Sequence, residues 1–305
     1  FFQLCPGSPN MICCRYLLLN TGFNCLYDCA YCYLNSYLNS FGIVQFTNVF
    51  RVLDEISRFH AESDRSRVYR VGTGEFTDSL MMDEIVGIGA AIIEHTSRMN
   101  NVMMELKTKS DNIDHLLGIE RRGNAVLAWS LNTRRNIARY EKDSGSLESR
   151  LRAASRAAEA GYFVAFHFDP VILYPGWEDE YVSLVDEMYD AVPSERIVWI
   201  SMGGFRYAPG FREAVRVRFP EEDLTVAEMF PGRDGKLRYF RPERRRIYRI
   251  LSDRIRSRGG RPFVYLCMED SDMWRDVFGA SYPSSGELEL AMSDHLKRAF
   301  PLGVR

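Results

Sequence analysis

Between residues 15 and 200, six short apolar runs alternate with helix-like segments, and this alternation restricts the fold more than any other feature of the chain. The runs are Tyr16–Leu19, Val68–Val71, Val102–Leu106, Val126–Ser130, Phe163–Phe168 and Ile197–Ile200. Several are continuously apolar, as strands of a parallel sheet buried on both faces tend to be. Val49–His60, Asp83–Arg98, Leu147–Ala160 and Asp179–Tyr189 carry helical periodicity between them, and Gly161 stops the third. Parallel strands cannot be joined by a tight turn, so the alternation implies βαβ units. Six units fall short of the eight that close a full barrel. The expected fold is therefore α/β: a partial (β/α)6 barrel over residues 15–220, after an N-terminal segment, 1–14. A mainly helical C-terminal extension, 221–305, follows; it opens on a helix near Arg241 and includes a short apolar strand, Phe263–Cys267.

Composition removes several function classes. No run approaches the ~20 apolar residues of a membrane span, and Phe1–Gly7 lacks the charged start and long apolar core of a signal peptide. The formal net charge of −2 excludes a polycation, so any nucleic-acid contact must come from a local basic face. Seven cysteines are too few for a disulfide scaffold, and six of them lie within the first 32 residues. Thiols crowded at one end read as metal ligation in a reducing compartment, which makes the cytoplasm the expected location.

Cys25-Leu26-Tyr27-Asp28-Cys29-Ala30-Tyr31-Cys32 follows the first strand directly. Its spacings let three thiolates from one loop reach one cluster. A cubane [4Fe–4S] cluster usually takes four cysteines, so three leave one iron open. Zinc sites more often show paired C-x2-C or Cys/His ligands, which the remaining cysteines do not form. The loop resembles the signature of the radical S-adenosylmethionine (SAM) superfamily. That resemblance implies a radical SAM barrel, with a cluster on Cys25, Cys29 and Cys32 whose open iron chelates SAM, and Tyr31 near the adenine.

Barrel chemistry belongs at the carboxyl ends of the strands. The second run leads into Gly72-Thr73-Gly74-Glu75-Phe76-Thr77-Asp78, similar to the Gly-rich, acid-ended superfamily motif that binds the SAM ammonium. The third leads to Lys109, a candidate for the SAM carboxylate. The fourth leads to Ser130 and Asn132, candidates for the ribose or methionine portion.

The resemblance sharpens toward spore photoproduct lyase and its relatives, radical SAM enzymes that revert a thymine–thymine ultraviolet lesion in DNA. It is carried by Cys25–Leu34, Phe76-Thr77-Asp78, Lys109 with Ile113-Asp114-His115-Leu116-Leu117, and Ser130-Leu131-Asn132. Arg150–Tyr162, Pro170 and Gly176-Trp177-Glu178 complete it. It implies SAM contacts by Thr77, Asp78, Lys109 and Ser130, and reductive cleavage of SAM to a 5′-deoxyadenosyl radical. A DNA thymine lesion would be the substrate, and a flavodoxin or ferredoxin the electron donor. Two departures matter. The start, Cys5-Pro6-Gly7 and Ile12-Cys13-Cys14, and the end, Phe263–Glu269, look unlike the best-known lyases and resemble a separate, lyase-like branch. The lyase has a hydrogen-donating cysteine just before its Thr-Ser-Asp motif, where this chain has Glu75 or Phe76. Cys267 or Tyr33 are candidates for that catalytic role. Cys5, Cys13 and Cys14 with Cys267 are candidate ligands of a second cluster, although adjacent cysteines crowd one metal.

From Arg233 to Arg261 there are 12 Arg/Lys against three acids. A helix here would place Ile247, Leu251 and Ile255 on one face and Arg245, Arg246, Arg249 and Arg256 mostly on the other, a basic face able to track phosphates. Tyr239, Phe240 and Tyr248 are candidates for stacking on bases. His167 and Asp169 are candidates for binding substrate or handling protons. Two alternatives stay open from the residues: a radical SAM enzyme of this fold acting on a peptide, RNA or small metabolite, and a non-catalytic metal-binding module.

Overall fold

The structure, a computed structural model, describes residues 2–37 and 42–302. Its centre is an eight-stranded sheet: β1 (Phe2–Leu4), β2 (Leu17–Leu19), β3 (Tyr69–Gly72), β4 (Val102–Thr108), β5 (Val126–Ser130), β6 (Phe163–Val171), β7 (Ile197–Gly204) and β8 (Phe263–Leu266). The strands neighbour one another in chain order. β1 runs antiparallel to β2, and every later pairing is parallel. All six expected strands are present. The short run at 263–266 adds a seventh parallel strand beside β7, so part of the C-terminal region completes the sheet. Every residue of β5 and β7 is buried, which accounts for their unbroken apolar sequence.

The crossovers are α1 (Val49–Glu62), α2 (Ile88–Thr96), α3 (Leu147–Glu159), α4 (Trp177–Ala191) and α5 (Arg241–Ser257), with shorter helical turns between. The helix expected over Asp83–Arg98 is two pieces. Gly87 adopts φ +65° and caps the Asp83–Val86 turn in the left-handed region, where an L side chain is strained. Ser146 caps α3 by accepting from Ser149 N. The C-terminal part is mainly helical, with Ser271–Phe278 and Ser285–Ala299 after β8.

The sheet curls into a half-barrel whose interior holds a polar knot. Glu105 on β4 is fully buried; its Oε1 accepts from Trp199 Nε1 on β7 at 3.0 Å and lies 2.7 Å from His167 Nε2 on β6. Its other oxygen receives Arg70 of β3 at 3.2 Å. That guanidinium also faces the rings of Tyr16, Trp199 and Tyr265 at 4.5–5.3 Å. Side chains from β3, β6 and β7 thus meet on one carboxylate of β4. The N-terminal hairpin spans the open side: Cys5 N donates to Tyr16 O, while Ile12 N donates to Glu269 O just beyond β8. No helix among the described residues is long and apolar enough to cross a membrane.

Candidate functional site

Cys25, Cys29 and Cys32 lie on one loop past β2, with Cys29 buried and the other two partly exposed. Local turns shape it, Cys29 N donating to Tyr27 O and Cys32 N to Cys29 O. A second element holds it in place: Ala30 N donates to Tyr140 O at 2.9 Å, and Cys29 bridges to Glu141. The Tyr31 hydroxyl donates to Glu141 at 2.5 Å, and Arg150 of α3 donates to the other oxygen of that carboxylate. Arg150 Nη1 also donates to Ser130 O at 2.9 Å, tying the loop to the end of β5. Arg150 is wholly buried, and burying a charge is tolerable only because its partners satisfy it.

The three thiols sit within electrostatic reach of one another, with Lys109, Asp78 and Glu75 around them. Burial pushes each thiol up, Cys25 to about 12. Without a cationic ligand all three therefore stay protonated, and a bound metal must supply the charge that ionises them. Among the described residues, no three His, Cys, Asp or Glu side chains converge on one point as the ligands of a single ion do. A cubane takes each thiolate on a different iron, and three buried-to-partly exposed thiols on one loop, with no fourth, fit such a cluster with one iron left open.

The strand ends supply the surroundings. Asp78 binds the ends of two strands together: its carboxylate accepts from Thr108 Oγ1 at 2.6 Å, Lys109 N at 2.7 Å and Leu80 N at 2.9 Å. Burial outweighs these bonds and raises its pKa. The Lys109 ammonium lies over the Tyr31 ring at 5.6 Å. Burial works against it, yet Cys29 and Glu141 beside it raise its pKa, so it remains a cation at the cluster loop. Thr77 is buried, with only long contacts to Asp78 O and Met81 Sδ. Ser130 closes β5 with its carbonyl on Arg150. Asn132 is engaged within the fold: its oxygen accepts from Thr133 N, Asn136 and Tyr181, and its amide donates to Pro170 O.

Tyr33 and Glu75 meet at the mouth, the phenol donating to Glu75 O. Cys267 follows β8, where Arg206 reaches its sulfur at 3.5 Å. Arg206 in turn holds Asp169 through two bonds of 2.9 and 3.2 Å. Burial and the Asp169 carboxylate push the Cys267 thiol well up. His167 lies inside the knot rather than at a strand end, because β6 continues to Val171.

Helix α5 forms where expected, with Arg245, Arg246, Arg249 and Arg256 exposed. Three of them have local partners: Arg246 pairs with Glu178, Arg249 donates to Asp276 O, and Arg256 lies by Asp253 and over Phe278. Tyr248 and Tyr239 are buried, the Tyr248 hydroxyl donating to Glu269 and the Tyr239 hydroxyl accepting from Leu173 N, whereas Phe240 is exposed.

Sequence reasoning missed the Glu141–Arg150 pair and the Arg70–Glu105 pair. A signal for the first existed: Arg150 falls between Leu147 and Ala154 on the apolar stripe of α3, where an unpaired charge would be untenable.

Residues 14–256 match the spore photoproduct lyase family. The chain belongs to that family. Curated relatives include spore photoproduct lyase of Bacillus subtilis (strain 168), 24% identical over 207 residues, covering 67% of this chain and 60% of the relative. That of Clostridium acetobutylicum is 26% identical over 226 residues, covering 74% and 65%. The chain thus spans about 60–65% of the length of the curated relatives it matches. Among solved structures, a spore photoproduct lyase variant with bound AdoMet and dinucleoside spore photoproduct superimposes with a TM-score of 0.76 at 22% identity, covering 87% of this chain and 79% of that one. The half-barrel is the family's fold.

Proposed function

We propose that this family member is a radical SAM lyase that acts on a thymine lesion in DNA. The observation that carries the reading is the three-thiol loop, locked by Tyr31, Glu141 and Arg150 beside the Asp78 and Lys109 strand ends. A [4Fe–4S] cluster and SAM held there would supply reductive cleavage of the sulfonium to a 5′-deoxyadenosyl radical. Cys25, Cys29 and Cys32 would hold the cluster. Lys109 would face the SAM carboxylate, Glu75, Thr77 and Asp78 the ammonium side, Tyr31 the adenine, and Ser130 the remaining portions, with Asn132 holding that strand end from within the fold. Tyr33 or Cys267 would return hydrogen to the product. The relatives' names and a solved lyase with bound dinucleoside spore photoproduct support the substrate class. A flavodoxin or ferredoxin in the cytoplasm would supply the electron, and α5 would offer Arg245, Arg246, Arg249 and Arg256 to phosphates.

The test is anaerobic reconstitution with iron and sulfide, then dithionite-driven SAM cleavage with and without lesion-bearing DNA, beside Cys29→Ala. About four irons per chain and 5′-deoxyadenosine from the unmutated chain alone are expected, with lesion reversal dependent on both. SAM cleavage without lesion reversal, or without DNA binding at low salt, would remove the DNA substrate. Zinc bound in place of iron and sulfide would remove the enzyme class.

A further inference from the structure

One ion pair at the carboxyl end of the half-barrel has no task in the proposed function. On β7, Trp199 and Ser201 reach inward to Glu105 and His167. Side chains alternate along a strand, so Gly203 faces the same interior, one step nearer the mouth. The same step leads from His167 to Asp169 on β6, and from Tyr265, whose ring faces Arg70, to Cys267 beyond β8. Arg206, just past β7, completes this upper layer. Its Nη1 and Nη2 donate to Asp169 Oδ1 and Oδ2 at 2.9 and 3.2 Å. The pair lies directly over Gly203, where a Cβ would sit 2.6 Å from Asp169 Oδ1 and 2.8 Å from Arg206 Nη1. Any larger residue at 203 would displace both.

The pair is open where a core ion pair is closed. The side chains of Arg206 and Asp169 keep 15% and 23% exposure, whereas those of Arg150 and Glu141 keep 0% and 1%. Bonding capacity is also left over. A carboxylate offers roughly four acceptor directions, and Arg206 takes two of them. Arg206 Nη1 also donates to Gly204 O at 3.3 Å, and Nη2 reaches Cys267 Sγ at 3.5 Å, a weak acceptor. Its Nε–H has no protein partner among the described residues. A free acceptor and a free donor therefore stand side by side at the barrel mouth.

We propose that Asp169 and Arg206 read the imide edge of one thymine of the lesion, the carboxylate accepting from N3–H and the guanidinium donating to the adjoining carbonyl. The assignment rests on the thymine-lesion reading above and adds how the base is chosen. An acceptor beside a donor is the edge that adenine offers thymine, so the pair replaces the partner base once the lesion leaves the stack. Cytosine has a lone pair at N3 and would meet the carboxylate without a proton between them. The pair is a binding and specificity element, and hydrogen transfer stays with the donor group proposed above.

The experiment measures equilibrium binding of the dinucleoside spore photoproduct to the anaerobic, cluster-loaded chain. The unmodified lesion is set beside two forms, each methylated at one of its two N3 positions. One methylated form should bind about 10–100-fold more weakly, and the other close to the unmodified lesion. Asp169→Ala should bind the unmodified lesion about 10–100-fold more weakly and cease to distinguish the methylated forms, and Arg206→Met should weaken the unmodified lesion by a similar factor. The methylated ligands test the unmutated chain, so the result does not depend on how well either variant folds. Equal binding of all three ligands, or a methyl penalty that persists in Asp169→Ala, overturns this assignment alone. No binding of the unmodified lesion by the unmutated chain overturns the thymine-lesion reading and the assignment with it.

Discussion

The Tyr33 hydroxyl donates to the backbone carbonyl of Glu75 at 2.8 Å and lies 3.3 Å from its carboxylate, joining the residue after the last loop cysteine to the strand end of β3. By the family resemblance Glu75 or Phe76 stands where the lyases carry a hydrogen-donating cysteine, and this contact is what supports the proposed donor role of the Tyr33 phenol. Cys267 is less available, its sulfur being held between Arg206 and Asp169.

Tyr33→Phe therefore tests the donor. Deoxyadenosine formation should stay within about twofold, while repaired product per SAM cleaved falls roughly tenfold or more, since only the later step loses its group. Cys267→Ala should leave that ratio unchanged. Quantifying deoxyadenosine and repaired dinucleotide in the same reaction gives both numbers. The reverse pattern would assign the donor to Cys267.

The Glu141–Arg150 pair predicts a structural defect that reads out as cluster loss. Removing one member of a buried ion pair costs about 3–5 kcal/mol because it strands the other charge. Arg150→Met should lower the melting temperature and, by freeing Tyr31 and Ser130 O, reduce iron retained per chain. Arg150→Lys should recover little, because one ammonium cannot reach Gly145 O, Ser130 O and Glu141 together. Thermal melts and iron counts on the same preparations check this.

Lys109 and Asn132 stand as a contrasting pair. Lys109 keeps its charge beside Cys29 and has no ion-pair partner within bonding distance among the described residues, so Lys109→Met should weaken SAM binding about 10–100-fold with the cluster retained. Asn132 is bonded to Thr133, Asn136, Tyr181 and Pro170, so Asn132→Ala should act mainly on stability, by about 1–3 kcal/mol. Calorimetric SAM titration and urea unfolding of both variants separate the two effects.

The barrel was legible because its strands are buried on both faces and leave unbroken apolar runs, as Val126–Ser130 shows. The three-thiol loop was legible because one local segment carries all three cysteines. What escaped was assembled across the sheet. Glu105, Arg70, His167 and Trp199 are distant in sequence and meet only when four strands curl together. Asn132 read as a ligand contact because a strand-end position does not reveal that Tyr181, from α4, already donates to it. The split of the second crossover turned on one glycine at φ +65°, which helical periodicity does not register.

The knot around Glu105 sets how acid acts on the fold. Arg70 and His167 overcome burial and hold the Glu105 carboxyl below the ordinary range. Burial holds His167 below its ordinary value, so it is neutral, its Nε2–H donating to Glu105 and its Nδ1 accepting from Ser201 Oγ. Both groups have folded pKa values depressed below the unfolded ones. The unfolded chain therefore binds protons first, and each contribution is present above the unfolded pKa and lost as pH falls through the folded one. The loss should begin below about 6.5 through His167 and steepen below about 4.3 through Glu105. Urea midpoints of the cluster-free chain between pH 7.5 and 4 should fall accordingly. Glu105→Gln should lower the midpoint at pH 7.5 and flatten the limb below about 4.3, because the glutamine takes up no proton. An unchanged slope in that variant would assign the acid sensitivity to other carboxylates, Glu141 first among them, since Arg150 and Lys109 depress it in the same direction.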